Sequence, residues 1–298
     1  MPASSERLVF DLRKFGISEV PMLGRYNYVN ARDGLIPHSH AGCMEICHLA
    51  KGRQLYCVGT REYVLTGGDV FVTFPGEKHS TGESPQEKGR LYWLIVRIPE
   101  KSGAFLNCAQ KDARHLLHQL LAMPSRHFAG HAELKTILDQ VISACLSNKN
   151  PLQRVMIQNK LVEFLLNVID CSRRRLKPGI SPPISTLLRQ IEASVHEAFP
   201  VAALAARVKL SVPRFKARFK NEVGIPPAEY VMRCKIDAAK RMLTRDGTTI
   251  TSVSFDLNFS SSQYFATVFR RYTGYSPREL LQKKIRTPSI SGGNRASR

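Results

Sequence analysis

The chain has 298 residues and a formal net charge of +20, from 44 lysines and arginines against 24 aspartates and glutamates. A hydrophobic content of 43% excludes an intrinsically disordered chain, because such chains bury too little apolar surface to offset the entropy of ordering. No apolar stretch reaches the roughly 18–20 residues that span a bilayer, and the N-terminus lacks the apolar segment of a secretory signal. We therefore expect a soluble, cytoplasmic protein of about two domains, with no membrane partner.

The charge is unevenly distributed along the chain. Residues 1–170 carry 20 basic and 16 acidic side chains, whereas residues 171–298 carry 24 basic and 8 acidic ones. An excess of this size favours nucleic acid or an anionic membrane surface as the partner. Its concentration in the last third favours one nucleic-acid-binding domain over a uniformly basic enzyme.

The seven cysteines are an odd, scattered set without a Cys-x-x-Cys pair. This pattern is typical of reduced thiols that pack as small apolar groups. A redox or metal site is the alternative at Cys43 and Cys47, which lie beside His48 and share one face of a predicted strand.

The first third of the chain predicts a small β-barrel or sandwich. Gly59 and Thr60 form the two-residue turn of a hairpin, in which the glycine supplies a positive φ. The predicted strands are rich in β-branched and aromatic residues and are Met44–Ala50, Leu55–Val58, Glu62–Leu65, Val70–Phe74 and Leu91–Ile98.

After about residue 108 the apolar spacing becomes helical. A third helix beginning after Pro151 has a wide apolar stripe. This stripe has two interpretations, a homodimer interface or plain core packing. The pairs His115/His118 and His127/His131 also have helical spacing. Because two ligands make a weak metal site, we interpret them as surface or core histidines.

A helical pattern in the C-terminal third repeats with an offset of 49–50 residues. The copies are LAARVKLSVPRFKARFK (204–220) and VSFDLNFSSSQYFATVFRR (253–271). In each copy a short helix ends, a serine (Ser211 or Ser260) caps the next helix, and two phenylalanines lie four apart on one face. The repeat predicts two helix-turn-helix motifs; solvated charge on an ordinary helical bundle is the alternative.

Pro226 and Pro227 open a helix that continues to about Thr244. About 18 residues at 1.5 Å each give ~27 Å. A helix of that length can hold two recognition helices near one B-DNA turn apart, ~34 Å, so that both enter successive major grooves. Residues near the start of each recognition helix would then read base edges, and basic residues further along would hold phosphates.

Residues 184–285 resemble the DNA-binding domain of the AraC/XylS family of bacterial transcription regulators, most closely over FSSSQYFATVFRRYTGYSPREL. The resemblance implies promoter DNA and RNA polymerase as partners. Lys209 and Asn258 replace the glycine that the family usually has in each turn, so the first turn is expected to be strained. The implied base-reading positions are Pro213, Arg214, Lys216 and Ala217 in the first copy, and Ser262, Gln263 and Thr267 in the second. The basic residues expected to hold phosphates are Lys220, Arg270 and Arg271.

The segments PHSHAGCMEICHLAKG (37–52) and GDVFVTFPGEKH (68–79) resemble the two motifs of a cupin barrel, which AraC-like regulators often use to sense a ligand. His38, His40, Glu45 and His79 are expected to converge there, and three imidazoles with a carboxylate suit a divalent transition metal. A metal-free pocket that binds a polar effector such as a sugar, and a purely structural role, are the alternatives. Trp93 would stack on a ligand or pack in the core.

The sequence therefore predicts an α+β protein. Its function would be sequence-specific regulation of transcription, as an effector-responsive activator and not as an enzyme. One rival is a metal-dependent cupin enzyme with an appended DNA-binding domain; another is an architectural DNA-binding protein without an effector. The predicted segments are a cupin-like effector-binding barrel at 1–107, a helical dimerisation segment at 108–170, a basic linker at 171–183, a double helix-turn-helix domain at 184–286 and a disordered tail at 287–298. Within the linker, Arg173–Arg175 would contact phosphate in an alternative interpretation.

Overall fold

The computed structural model describes residues 6–100, 103–147, 151–174, 179–245 and 247–286. Within these residues an antiparallel β domain is followed by a helical C-terminal domain, so the predicted α+β class is confirmed. The predicted tail at 287–298 and the centre of the predicted linker lie outside the described residues. In the described ranges no helix combines the length and apolar character that a membrane crossing needs.

The β domain, called the barrel below, has strands that pair in the order β1-β2-β7-β3-β5-β8, with β4 and β6 also paired to β3. The turn at Gly59 is confirmed, because Val58 pairs directly with Arg61 and the φ of Gly59 is 58°. The strands are β1 Arg7–Asp11, β2 Met22–Tyr28, β3 Cys43–Val58, β4 Arg61–Thr66, β5 Asp69–Thr73, β6 His79–Ser80, β7 Gly89–Arg97 and β8 His127–Ala129.

The long strand β3 corrects the sequence prediction of two separate strands between residues 44 and 58. The chain does not turn at Lys51 and Gly52 but passes through a bulge after Leu49. A Cβ atom on Gly52 would lie 2.6 Å from the carbonyl oxygen of Lys88, so the close approach to β7 requires glycine. The first part of β3 pairs with β5 and β7, and its last part pairs with β4 and β6.

The two faces of β3 contribute to two different cores because side chains alternate along a strand. Cys47 and Leu49 point into the barrel, where they pack with aromatic residues of β2 and β7. Met44 and Ile46 point outward and pack against the three helices of the N-terminal half. His48 lies on this outer face, 2% exposed.

The helices of the N-terminal half are α1 Gln110–Leu121, α2 Ala132–Leu146 and α3 Gln153–Arg173. Two predictions are wrong here. His127 lies in β8 and His131 is the N-cap of α2, so the two do not form a helical pair. Residues 171–173, placed in the linker, continue α3, because the apolar stripe of that helix extends to the buried Cys171.

The C-terminal domain contains two helix-turn-helix motifs, α5–α6 and α8–α9, joined by α7. Paired phenylalanines fill the core of each, with ring centroids 5.5 Å apart for Phe215 and Phe219 and 5.6 Å apart for Phe265 and Phe269. The helices are α4 Pro182–Ala193, α5 Val201–Arg207, α6 Val212–Val223, α7 Pro227–Leu243, α8 Ile250–Asp256, α9 Ser262–Thr273 and α10 Pro277–Arg286.

The caps and turns of the two motifs differ in detail from the sequence prediction. Ser261, and not Ser260, caps α9 by accepting a hydrogen bond from the Tyr264 amide at 3.1 Å. Ser211 occupies the N-cap of α6 but its side chain makes no capping hydrogen bond. Lys209 and Asn258 have φ values of 54° and 56°, so both turns use the left-handed conformation and strain at Lys209 is expected.

Candidate effector pocket and nucleic-acid interface

The barrel encloses a small cavity of about 190 Å³, called the barrel pocket below. Four of the predicted ligand-binding residues, His38, His40, Glu45 and Trp93, line it. The sequence interpretation missed four polar or aromatic lining residues, because nothing in their local pattern distinguishes them from ordinary strand positions. These are Arg7, Tyr26, Tyr56 and Gln86.

The histidine cluster, His38, His40, Glu45 and His79, converges at the mouth of this pocket. Its ligand atoms all lie within 4.8 Å of one another. Backbone hydrogen bonds in both directions between His38 and His79, at 3.0 and 2.9 Å, tie the loop before β3 to β6. The carboxylate Oε2 of Glu45 lies 2.7 Å from His79 Nε2 and 3.8 Å from His40 Nε2.

Backbone carbonyls fix the tautomers of two of these imidazoles. His38 Nδ1 donates to the Ile36 carbonyl at 2.9 Å, and His79 Nδ1 donates to the Glu77 carbonyl at 3.2 Å. In the neutral rings each Nε2 therefore carries a lone pair toward the cluster, which is the arrangement that metal-ligating histidines commonly show.

His79 Nε2 is buried and has no hydrogen bond of acceptable geometry, although Glu45 Oε2 lies 2.7 Å away. A neutral His79 would thus hold a lone pair against a carboxylate oxygen, which is repulsive unless a proton or a cation lies between them. The donor set and this orphaned nitrogen together fit a divalent transition metal.

Burial and Glu45 act in opposite directions on the histidine pKa values. At His40 burial lowers the pKa, and the more distant Glu45 only partly offsets it. At His79 burial also lowers the pKa, but the close Glu45 carboxylate, together with the Glu77 backbone, outweighs it. The pKa of His79 is therefore raised.

Trp93 lies between two barrel residues, with 8% of its surface exposed. On one side it packs against Gly24, where a Cβ atom would lie only 2.0 Å from the ring. The guanidinium carbon of Arg7 lies 5.0 Å from the ring centroid, in cation–π contact. Both sequence interpretations of Trp93 thus have support, since it is buried in the core and also lines the pocket.

Two family models match the chain, one on each domain. The model for an AraC-like ligand binding domain matches residues 27–165, and the model for a helix-turn-helix domain matches residues 204–283. This chain belongs to the AraC family. It is a transcription regulator with a ligand-binding domain and a helix-turn-helix DNA-binding domain.

Curated AraC-family relatives cover most of the chain. The HTH-type transcriptional activator RhaS of Escherichia fergusonii is 23% identical over 257 residues, which are 84% of this chain and 88% of the relative. The HTH-type transcriptional activator RhaR of Escherichia coli K12 is 23% identical over 256 residues, 83% of this chain and 86% of the relative.

Solved structures resemble one domain or most of the chain. The DNA-binding domain of AdpA in complex with a target DNA is 27% identical and covers 37% of this chain and 99% of that chain, with a TM-score of 0.35. An apo ToxT variant from Vibrio cholerae is 12% identical and covers 95% of this chain and 99% of that chain, with a TM-score of 0.34.

The predicted DNA-contacting residues of this AraC-family chain lie on α6 and α9, the second helices of the two motifs. Arg214 and Gln263 are exposed in the first turn of their helices, where a recognition helix presents side chains to base edges. Pro213, Lys216, Ala217, Lys220, Thr267, Arg270 and Arg271 are also exposed, and Ser262 is half-buried. Tyr264, in the first turn of α9, is 49% exposed and was not among the residues predicted from the sequence.

Three of these residues also face the barrel. Ala217 and Lys220 line a cavity of about 530 Å³ together with barrel residues such as Gly68 and His131. Arg271 lines a second cavity of about 460 Å³ together with Lys88. Its backbone carbonyl also accepts a hydrogen bond from the Ala31 amide at 2.9 Å.

Buried ion pairs join the two domains of the AraC-family chain. Arg233 of α7 donates to Glu87 of the barrel and, at 3.0 Å, to Glu229 of its own helix. Lys88 of the barrel lies 3.1 Å from the same Glu229 carboxylate. The sequence interpretation missed this interface, since Glu87 and Arg233 are 146 residues apart and neither has a local signature.

Proposed function

We propose that this protein is a cytoplasmic activator of transcription that binds double-stranded promoter DNA and responds to a small polar molecule in the barrel pocket. The observation that carries the proposal is the pair of helix-turn-helix motifs with exposed polar residues at the start of α6 and α9. Activation implies a contact with RNA polymerase on the promoter. The same reading makes the barrel a sensor and not an enzyme.

A small sugar is the effector class that we favour. The barrel pocket combines aromatic faces, from Trp93, Tyr26 and Tyr56, with polar groups such as Gln86. Its volume of about 190 Å³ is below the ~300–1,000 Å³ of pockets for drug-sized ligands, which favours a molecule of about monosaccharide size. The relatives RhaS and RhaR are named as transcriptional activators, which agrees with the proposed sign of regulation.

Replacing Arg214 should relax sequence preference, whereas replacing Arg270 should weaken all DNA binding equally. Arg214 lies at the start of α6, where a bidentate contact to guanine gives about 1–3 kcal/mol of discrimination. Arg270 lies in the last turn of α9, where it would hold phosphate, and its loss should flatten the salt slope by about 1. Binding assays with Arg214→Ala and Arg270→Ala on matched and mismatched sites at several salt concentrations measure both effects.

Each of these two variants serves as the matched control for the other, because each removes one exposed guanidinium group from a recognition helix. We chose Arg270 for the phosphate test because Arg271 faces the barrel as well. If both variants lost the same affinity on every DNA sequence, the division between base and phosphate contacts would be wrong. If neither variant changed DNA binding, the proposed interface itself would be wrong.

We further propose that the histidine cluster holds one divalent transition metal, which would tie the loop before β3 to β6 beside the effector. Protein purified without an affinity tag should then contain about one metal ion per chain by elemental mass spectrometry. His40→Ala should weaken metal binding by roughly 100-fold or more, since even residues that only support a metal ligand contribute 10–100-fold. The exposed His115 supplies the matched control, and His115→Ala should leave the metal content unchanged.

The same measurement bears on the rival enzyme function. A metal-free protein whose melting temperature is insensitive to added zinc, manganese, iron or nickel would contradict the metal site and remove the support for a metal-dependent enzyme. The metal-free barrel pocket would then bind its effector through hydrogen bonds alone. Neither result alters the prediction for Arg214 and Arg270.

We also propose that α3 forms a homodimer interface. Four apolar side chains form an exposed stripe on this part of the chain: Leu152 at 61%, Val155 at 46%, Met156 at 48% and Leu166 at 54% exposure. An antiparallel pairing about a two-fold axis near Asn159 would place Leu152 opposite Leu166 and Met156 opposite Val162. The stripe would then be buried against an identical stripe.

Leu166→Glu should therefore raise the dimer dissociation constant by roughly tenfold or more, because each copy loses a buried leucine and gains a charge at the interface. Sedimentation velocity over a range of protein concentrations measures this change. Thr251→Glu adds the same charge at an exposed position on α8 and should leave the oligomeric state unchanged. A wild-type chain that stayed monomeric at all concentrations would contradict the proposal.

A further inference from the structure

Another cavity, of about 290 Å³, lies between the outer face of the barrel and the junction of α6 and α7. We call it the interdomain cavity. His48 of β3 and His131 before α2 form its barrel side, and Lys220, Gly224 and Pro226 form its DNA-binding side. It does not share a lining residue with the barrel pocket.

Two ring nitrogens at this cavity have no hydrogen-bond partner among the described residues. His48 is 2% exposed and its Nδ1 is fully buried without a partner. The Nδ1 of His131 is also buried without one, since Glu133 Oε2, at 3.8 Å, lies beyond hydrogen-bond distance. Because buried polar atoms in folded proteins are nearly always hydrogen-bonded, two such atoms at one cavity make it a candidate site for a polar ligand.

The charge state of His48 determines what that ligand must offer. Burial lowers the pKa of His48 to about 4, so the ring is neutral at pH 7. The Asp69 backbone acts to raise this pKa, as an acceptor near the ring does, and Nδ1 has no partner, so we assign the ring proton to Nε2. The free Nδ1 is therefore an acceptor, and its ligand must donate, as a hydroxyl group does.

The remaining charges at the interdomain cavity are positive. Lys51, Lys135 and Lys220 line it, and no aspartate or glutamate does so in the part of the chain that the structure describes. Lys135 Nζ forms an ion pair at 2.6 Å with Asp139, a residue that does not line the cavity. Lys51 and Lys220 have no ion pair within the described ranges, so at least two ammonium groups are available to an anion.

We propose that the interdomain cavity binds a small hydroxylated anion, whose hydroxyl group donates to His48 Nδ1 and whose carboxylate or phosphate group is held by the lysines. This site is separate from the barrel pocket and goes beyond the proposed function. Sugar acids and sugar phosphates share the required chemistry. The five glycines of the lining, which include Gly52, Gly67 and Gly130, leave the backbone open to such a ligand.

The position of this site links the anion to the arrangement of the two domains. A Cβ atom on Gly224, the C-cap of α6, would lie 2.2 Å from Thr66 Oγ1, so α6 ends directly against the barrel. Because residues of both domains line the cavity, a bound anion would favour the docked arrangement. Lys220 also belongs to the predicted DNA interface, so the anion and DNA would affect each other's affinity reciprocally.

Isothermal titration of the full chain without DNA tests the site, with gluconate and glucose 6-phosphate as the probes and sorbitol and acetate as the comparison compounds. At least one of the two hydroxylated anions should bind, and which one binds identifies the anionic group. Sorbitol lacks the charge and acetate lacks the hydroxyl group, so each should bind at least about tenfold more weakly. Acetate that bound as tightly as the probes would overturn the role given to His48 Nδ1.

Lys51→Met and His131→Leu should each weaken binding of the probe by about tenfold. Lys111→Met removes the same charge from an exposed position on α1 and should leave binding unchanged. Neither test variant replaces the fully buried His48, so misfolding does not limit the experiment. The proposal is overturned if neither anion binds, if Lys51→Met binds as the wild type does, or if His40→Ala in the barrel pocket abolishes binding instead. Because DNA is absent, all of these outcomes are independent of the proposed DNA-binding function.

Discussion

Replacing Arg233 with methionine should release the DNA-binding domain from the barrel. Arg233 is 8% exposed on α7 and forms ion pairs with Glu87 and Glu229, while its guanidinium carbon lies 5.3 Å from the Tyr272 ring centroid. Methionine keeps most of the apolar stem of the side chain but removes its charge. The buried Glu87 carboxylate would then retain only Arg53 as a cationic partner, with Arg53 Nη1 at 3.0 Å from Glu87 Oε1. Removing one partner from a buried ion pair costs about 3–5 kcal/mol.

The pKa directions at this interface show how the charges depend on one another. Burial lowers the pKa of Arg233, but Glu87 and Glu229 outweigh burial and raise it overall. Burial raises the pKa of Glu229, but Lys88 and Arg233 outweigh burial and lower it overall. Because the pKa of Glu229 is lowered in the folded state, its contribution to stability is complete at neutral pH and is lost as pH falls toward that lowered value.

Scanning calorimetry should show the effect of Arg233→Met as a splitting of one cooperative transition into two. Proteolysis between residues 174 and 182 should also become faster. Arg241→Met removes the same group from an exposed position on α7 and should change neither measurement. The double variant Glu87→Gln with Arg233→Met should recover part of the loss, because it no longer leaves a buried charge unpaired. A single transition at the wild-type temperature would contradict this account of the interface.

The same interface gives the barrel pocket a physical connection to α7. Tyr26, which lines the pocket, donates to Gln54 at 3.3 Å, and the Glu87 amide donates to the same amide oxygen of Gln54 at 2.9 Å. Glu87 in turn binds Arg233 on the helix that joins the two helix-turn-helix motifs. An effector that moved Tyr26 would therefore act on a network that ends at the DNA-binding domain.

The sequence was most informative where a structural element carries its own local pattern. Both helix-turn-helix motifs were predictable because the spacing of Phe215 and Phe219 recurs at Phe265 and Phe269. The histidine cluster was predictable for the same reason, since His38, His40 and Glu45 lie within eight residues and His79 ends a second motif. The fold class and the family follow from these local patterns.

Features that depend on contacts between distant segments had no such pattern. Strands β1 and β2 were not predicted, and β8 was missed because three residues are too few to show an alternation. His48 was noted only as a neighbour of Cys47, and its position at the interdomain cavity depends on α6 and α7 packing against the barrel. The same holds for Glu87 and Arg233, whose pairing appears only when both domains are placed together.

Replacing Gly24 with alanine should displace Trp93 and remove the barrel pocket as a binding site. Gly24 in β2 pairs directly with Trp93 in β7, and an added Cβ atom would lie 2.0, 2.2 and 2.4 Å from three atoms of the indole ring. The ring cannot retreat freely, because Arg7 is in contact with it and only 8% of Trp93 is exposed. We expect a loss of about 3 kcal/mol, at the upper end of the cost of overpacking a core.

Trp93 is the only tryptophan of the chain, so its fluorescence reports on this site alone. In Gly24→Ala the emission should shift to longer wavelength as the ring becomes exposed, and the melting temperature of the barrel should fall. Gly103→Ala is the matched control, because an added Cβ atom there meets nothing within 4 Å. DNA affinity should be retained in the absence of effector, since the helix-turn-helix motifs have cores of their own. Unchanged emission and stability would mean that the β2–β7 pair tolerates a side chain at position 24. The close packing of Trp93 on Gly24 would then not determine the shape of the pocket.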